Sequence, residues 1–229
     1  MTGMLASVNS LAEALLVLSA EVDIIDLKQP ALGALGALDV TDVQLIVAGI
    51  AGRCPVSATI GDLPMQPDSV FNAVKAMAET GVDYIKIGFF PGDDWTGTVN
   101  KLSELTGQNH ALIAVLFADT QPDLAIMGLL KEAGFTGVML DTMDKKKGSL
   151  TTLMTKMELG QFVTKAKILQ LLCGLAGSLR LSDIPELMLY NADYLGFRGA
   201  LCQGHDRVGE LNKPAIFQVK QCIKTTGIE

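Results

Sequence analysis

Residues 79–88 read ETGVDYIKIG, which ends a helix, turns through glycine and an acid, and enters an apolar strand. The same syntax returns in SAEVDIIDL (19–27), EAGFTGVMLD (132–141) and YNADYLGFRG (190–199). A unit of this kind recurring along one chain is a βα repeat. Reading outward from these four anchors gives strands near 4–7, 22–28, 55–61, 82–88, 111–117, 137–141, 168–174 and 194–198, with helical segments between them. Alternating strands and helices without a linker or low-complexity tract predict one (β/α)8 TIM barrel spanning residues 1–229. The rival, a doubly wound open sheet, usually carries a glycine fingerprint after its first strand. Here that turn reads SVNSLAEA and holds no glycine. Ser10 with Glu13 reads as a capping box, and Asp68, Asp123 and Ser182 mark other helix starts.

Composition narrows the function classes. Nearly half of the 229 residues are apolar, enough for a sizeable core, yet no run reaches the roughly 20 residues of a membrane span. No basic leader opens the chain, so a cytoplasmic protein is expected. The net charge of −7 argues against nucleic-acid and anionic-membrane partners. Four scattered cysteines, without C-x-x-C pairing, read as reduced thiols, and two histidines make a poor basis for a metal site. An anionic substrate must therefore be met by local positive charge.

That charge lies on the strands. Asp26 and Lys28 stand two apart and share one face of strand 2. Lys86 on strand 4, Asp141 on strand 6 and Arg198 on strand 8 fall near the C-terminal ends of even-numbered strands. Interior layers of a barrel take side chains from alternate strands, so Lys28, Lys86, Asp141 and Arg198 are expected to converge at the C-terminal mouth, where active sites of this fold sit. A partly desolvated lysine near a second cation keeps some neutral amine to attack a carbonyl, and the other lysine can move protons. The competing reading is that each charge tops its strand and reaches solvent, or that Asp26 and Lys28 simply pair.

Two late turns complete the pattern: GLAGSLR (174–180) after strand 7 and GFRGA (196–200) after strand 8. In many (β/α)8 enzymes these loops hold a phosphate, so Gly174, Gly177, Ser178, Gly196, Gly199 and Arg198 are expected at such a site. Helix capping and close strand packing are the alternative, and they explain Gly174 and Gly196 well. The run DKKKGSL (144–150) offers Lys145 and Lys147 to a second phosphate, or to solvent. Ser57 and Thr59 share a face of strand 3 and can bond substrate or backbone; Met127, Met139 and Met154 read as core.

The segments DIIDLKQPALGALGA, VSATIGDLP, DYIKIGFF, VMLDT, GLAGSLR and GFRGALCQGHDR together resemble the (5-formylfuran-3-yl)methyl phosphate synthase family of methanofuran-type cofactor biosynthesis. The resemblance implies condensation of two glyceraldehyde 3-phosphates into 4-(hydroxymethyl)-2-furancarboxaldehyde phosphate, with loss of phosphate and water and no metal or organic cofactor. It further implies that Lys28 is the Schiff-base lysine, that Lys86 is the proton acceptor, and that Asp26 and Asp141 are the acidic site residues. The family pattern has a lysine after a glycine beyond LDT, whereas here the order is Lys147-Gly148-Ser149, which leaves open the lysine that takes that place. The alternatives are a class I aldolase acting on phosphorylated aldehydes and a non-catalytic barrel that binds a phosphometabolite. Assembly into a homo-oligomer is expected, since barrels of this kind often associate.

Overall fold

A computed structural model describes residues 1–92, 94–108 and 110–227. Eight parallel strands close into a barrel in sequence order: β1 Gly3–Val8, β2 Ile24–Leu27, β3 Val56–Thr59, β4 Tyr84–Phe89, β5 Leu112–Phe117, β6 Gly137–Asp141, β7 Leu172–Leu175 and β8 Tyr194–Phe197. Around it run α1 Leu11–Leu18, α2 Val40–Ile50, α3 Pro67–Ala78, α4 Trp95–Thr106, α5 Ile126–Glu132, α6 Leu150–Leu153, α7 Lys156–Ile168, α8 Ile184–Met188 and α9 Lys213–Thr226. Among the described residues no helix is long and apolar enough to cross a membrane.

The repeat seen in the sequence has two physical parts. Glu21, Gly81, Gly134 and Asn191 occupy equivalent places in the four echoes and all adopt left-handed backbone, with φ of 56°, 84°, 83° and 54°. Such a residue stops a helix and turns the chain back toward the barrel. Two residues later, Asp23, Asp83 and Asp193 each accept a strand N–H, from Met4, Val56 and Cys173, at 2.7 Å. Each carboxylate stitches its own strand to the preceding one at the bottom of the barrel. The third echo has Thr136 at this place, and its own N–H donates to the Leu112 carbonyl.

One strand lies elsewhere than its apolar run predicts. Residues 168–174 divide, because Ile168 ends α7, Gln170 turns with φ 53°, and β7 begins at Leu172. An apolar run shared by a helix end and a strand has no periodicity to mark the break. At α1, Ser10 accepts the Glu13 N–H, but the Glu13 carboxylate takes the N–H of Asn9 rather than that of Ser10. The capping box is thus only half made, with the glutamate bonded one residue further back.

The strands separate two cores. Ile25, Leu27, Ile85, Ile87, Leu116 and Leu140 face the helix layer, while Leu5, Ile24, Val115, Phe117 and Met139 fill the barrel. Above this interior plug, at the C-terminal ends of the strands, the polar residues begin.

Candidate active site

Asp26 is buried completely and stands in register between Ser7 of β1 and Ser57 of β3. Ser7 Oγ donates to it at 2.8 Å, Ser57 Oγ at 2.7 Å and Lys86 Nζ at 2.8 Å. Burial alone would raise its pKa, but Lys86, then Lys28, and these hydrogen bonds outweigh it and hold the carboxyl below its ordinary value. The residue is an anchored anion with its acceptors occupied. Ser57 is thereby committed to Asp26, and Thr59 donates to the Gly36 carbonyl at 3.0 Å.

Lys28 lies one step further out, just beyond β2, and is 7% exposed. Among the described residues no carboxylate lies within ion-pairing distance of its Nζ, although Asp141 and Asp26 are near enough to be felt. Burial pushes its pKa down from 10.5 to about 8; the two aspartates resist that, while Lys145 and Lys86 add to it. A lysine in this state holds about a tenth of its amine neutral at pH 7, several hundred times more than an ordinary one.

Asp141 closes β6 and accepts the Thr142 N–H at 2.7 Å and Lys145 Nζ at 2.5 Å. Burial would raise its pKa, but Lys145 and Lys28 pull harder and bring it down to about 2. Lys145 also donates to the Thr142 carbonyl. The loop after β6 therefore turns Lys145 inward, while Lys147 stays half-exposed, 4.0 Å from Asp119. Asp119 shapes that loop by accepting the N–H groups of Met143 and Asp144.

Lys28, Lys86, Asp141 and Lys145 line one cavity of about 230 Å³ at the mouth of the barrel. Its far wall is the rim formed by β7 and β8, with Gly177, Ser178, Gly196 and Gly199. Gly177 and Ser178 adopt φ of 111° and 52°, and their N–H groups have no hydrogen-bond partner among the described residues. Successive free amides of this kind make an anion-binding concavity. Gly174 lies deeper, where a Cβ would come within 3.1 Å of Met139 Cγ, and it lines the apolar interior instead of the mouth cavity.

Arg198 lines the cavity, yet its guanidinium is engaged elsewhere. Nη1 and Nη2 grip Glu13 at 2.5 and 3.2 Å, and the remaining donors reach the carbonyls of Ser7, Arg207 and Gly209. These contacts use all five N–H groups, so the expectation that Arg198 supplies positive charge to a phosphate is not met by this geometry. The Glu13 carboxylate, which also accepts the Asn9 N–H, is its ion-pair partner. Other charge faces the cavity from Arg180 and Arg207, two residues that strand phase could not single out because both lie on loops. Ser7 was likewise invisible as a site residue, since one serine in an apolar strand carries no signal without its neighbour in register.

A family model described as 4-HFC-P synthase matches residues 4–220. A protein of Methylorubrum extorquens, provisionally named (5-formylfuran-3-yl)methyl phosphate synthase, is 42% identical over 96% of this chain and 91% of its own length. The (5-formylfuran-3-yl)methyl phosphate synthase of Methanocaldococcus jannaschii is 30% identical over 96% of this chain and 99% of its own. Among solved structures, a 3-hexulose-6-phosphate synthase aligns with TM-score 0.65 at 15% identity, covering 97% of this chain and all of that one. The phosphoribosyl anthranilate isomerase of Thermus thermophilus aligns with TM-score 0.70 at 11% identity, covering 98% of this chain and 99% of that one. These two likenesses speak to the barrel alone, whereas the sequence matches run nearly end to end: the chain belongs to the 4-HFC-P synthase family, the (5-formylfuran-3-yl)methyl phosphate synthases.

Proposed function

We propose that the protein condenses two molecules of glyceraldehyde 3-phosphate into (5-formylfuran-3-yl)methyl phosphate, through an imine on Lys28. The observation that carries this reading is the contrast between the two lysines of the cavity. Lys86 is fixed to Asp26 at 2.8 Å, whereas Lys28 is desolvated, lacks an ion-pair partner among the described residues and titrates near 8.

In this mechanism the neutral Lys28 amine adds to the aldehyde carbon of one triose phosphate, and loss of water leaves the protonated imine. That cationic nitrogen draws electrons from the neighbouring C–H, whose proton passes to Lys86 once Lys86 has shed its own. The resulting enamine either attacks the aldehyde of the second triose phosphate or expels a phosphate. Asp26 keeps Lys86 in place and balances its charge. Lys145, held by the Asp141 carboxylate, lines the same cavity and can protonate departing oxygens. Dehydration and ring closure yield the furan. Two triose phosphates balance against one furan phosphate, one inorganic phosphate and two waters, with no oxidant or reductant required. The free amides at Gly177 and Ser178 support phosphate capture at the β7–β8 rim.

Incubation with glyceraldehyde 3-phosphate, followed by ultraviolet absorbance and mass, is expected to reveal a furan aldehyde phosphate. Borohydride added during turnover is expected to fix substrate carbon onto Lys28. An aldol adduct as the sole product would instead favour the class I aldolase, and label on Lys86 would reverse the two lysines' roles.

A further inference from the structure

We propose that Arg207 is the residue that recognises the substrate phosphate, and that it couples this recognition to the loop carrying the chain away from Lys28. The inference deepens the function proposed above and rests on its phosphorylated substrate.

Three arginines line the mouth: Arg180, Arg198 and Arg207. Arg198 has no donor left, as its contacts with Glu13 and three carbonyls show. Arg207 is the reverse case. Its side chain makes one hydrogen bond among the described residues, from Nη2 to the Gly33 carbonyl at 2.7 Å, and no carboxylate pairs with it. It is nevertheless half-buried, and burial pushes its pKa down while Asp141 and Asp62 act to raise it. Among the described residues no buried side-chain donor is left unmatched, so the free N–H groups of Arg207 are open to the cavity it lines and available to a ligand there. A phosphate takes the planar fork in two parallel bonds and supplies the missing charge.

The surroundings place that fork at the rim. A Cβ on Gly199 would lie 3.9 Å from both Arg207 Cβ and Arg180 Nη1, so all three border the β8 turn. Gly177 and Ser178, with their free amides, line the same cavity. Arg180 is exposed and adds only screened charge. Arg207 is held from behind, because Arg198 donates to its carbonyl at 2.8 Å and to that of Gly209 at 3.0 Å. The saturated arginine thus acts as a positioning residue for the unsaturated one.

The Gly33 contact supplies the coupling. Gly33 belongs to the loop that follows Lys28, and Asp62 grips the same loop through the N–H groups of Ala34 and Leu35 at 2.8 and 2.7 Å. One side chain therefore bridges the β8 loop and the β2 loop across the cavity that holds the reactive amine.

Titration of inorganic phosphate into the full-length wild type, Arg207→Gln and Arg180→Gln by calorimetry tests the assignment. Arg207→Gln is expected to weaken phosphate about 10- to 100-fold with the melting temperature held, and Arg180→Gln to change it less than Arg207→Gln does. Undiminished affinity in Arg207→Gln, a larger loss in Arg180→Gln, or no phosphate binding by the wild type would overturn it. Should Arg207→Gln fail to fold, Arg207→Lys keeps the charge without the fork and is expected to give an intermediate loss. Borohydride trapping supplies a readout that a merely structural role would move differently. Arg207→Gln is expected to raise the half-saturating concentration of glyceraldehyde 3-phosphate while leaving that of unphosphorylated glyceraldehyde unchanged, whereas a general distortion would raise both. If the wild type traps neither aldehyde on Lys28, the imine reading falls, and the phosphate titration still decides Arg207.

Discussion

Lys86 Nζ lies 2.8 Å from Asp26 Oδ1 and both residues are buried, while Lys28, two residues along the chain from that aspartate, has no such partner among the described residues. The acid and base that adjoin in sequence therefore do not pair with each other. Asp26 is spent on a lysine 60 positions away, which is why the proposed mechanism places the imine on Lys28.

Replacing Lys28 separates function from stability. Lys28→Met is expected to reduce furan formation by about a thousand-fold or more, because the proposed imine forms on Lys28 and the other two cavity lysines, Lys86 and Lys145, are held in ion pairs. It should also stabilise the fold by about 1–3 kcal/mol at neutral pH, since a buried ammonium is exchanged for an apolar chain of similar length. Denaturant unfolding beside a turnover assay checks both; loss of stability would mean that Asp141 and Asp26 compensate the charge fully.

The same desolvation sets a pH profile. Formation of the Lys28 imine should rise with pH through about 8, following the neutral amine, rather than through 10.5. Stability carries the matching signature. Between about 8 and 10.5 the unfolded chain keeps a proton that folded Lys28 has lost, so this group's contribution improves as pH climbs through that window. Asp141 has the same sign in acid: its pKa of about 2 lies below the unfolded 3.8, so its stabilisation is complete above 3.8 and is lost as pH falls from there through about 2. Trapping rates and unfolding free energies across pH, in the wild type and in Lys28→Met, test these limbs.

Asp26→Asn removes the anion beneath Lys86 and leaves a buried ammonium without its counter-charge. A loss of about 3–5 kcal/mol is expected, together with loss of turnover. Combining it with Lys86→Met should recover much of the stability and none of the activity. A double mutant no more stable than Asp26→Asn would place the cost in the serine contacts from Ser7 and Ser57 instead.

Arg198→Lys keeps the positive charge but gives up the fork that spans Glu13 and three carbonyls. It should cost about 2–4 kcal/mol, while Arg180→Lys, at an exposed position, should change stability by less than about 0.5 kcal/mol. Thermal or denaturant unfolding of the two variants distinguishes an anchoring arginine from a peripheral one.

The barrel was readable because its repeat is written in local chemistry: a left-handed turn residue, then an acid, then an apolar strand. The strand phase that put Lys28, Lys86 and Asp141 on one layer follows from the two-residue period of a strand, and needs no contact information. The contacts of Arg198 were not legible at that level. Its phase is right, but nothing local announces that Glu13, 185 residues earlier, will take its guanidinium.

The amino-acid sequence alone determined the βα order, the two lysines and two aspartates at strand ends, and the glycine turns of the rim, because each depends on residue type and short-range periodicity. Tertiary structure alone decided which charges are neutralised and which are left free. Asp26 could have paired with Lys28, and Arg198 could have faced an anion. Closing the barrel brought Lys86 to the first and Glu13 to the second, because ion pairs form between groups that burial makes neighbours, whatever their separation along the chain.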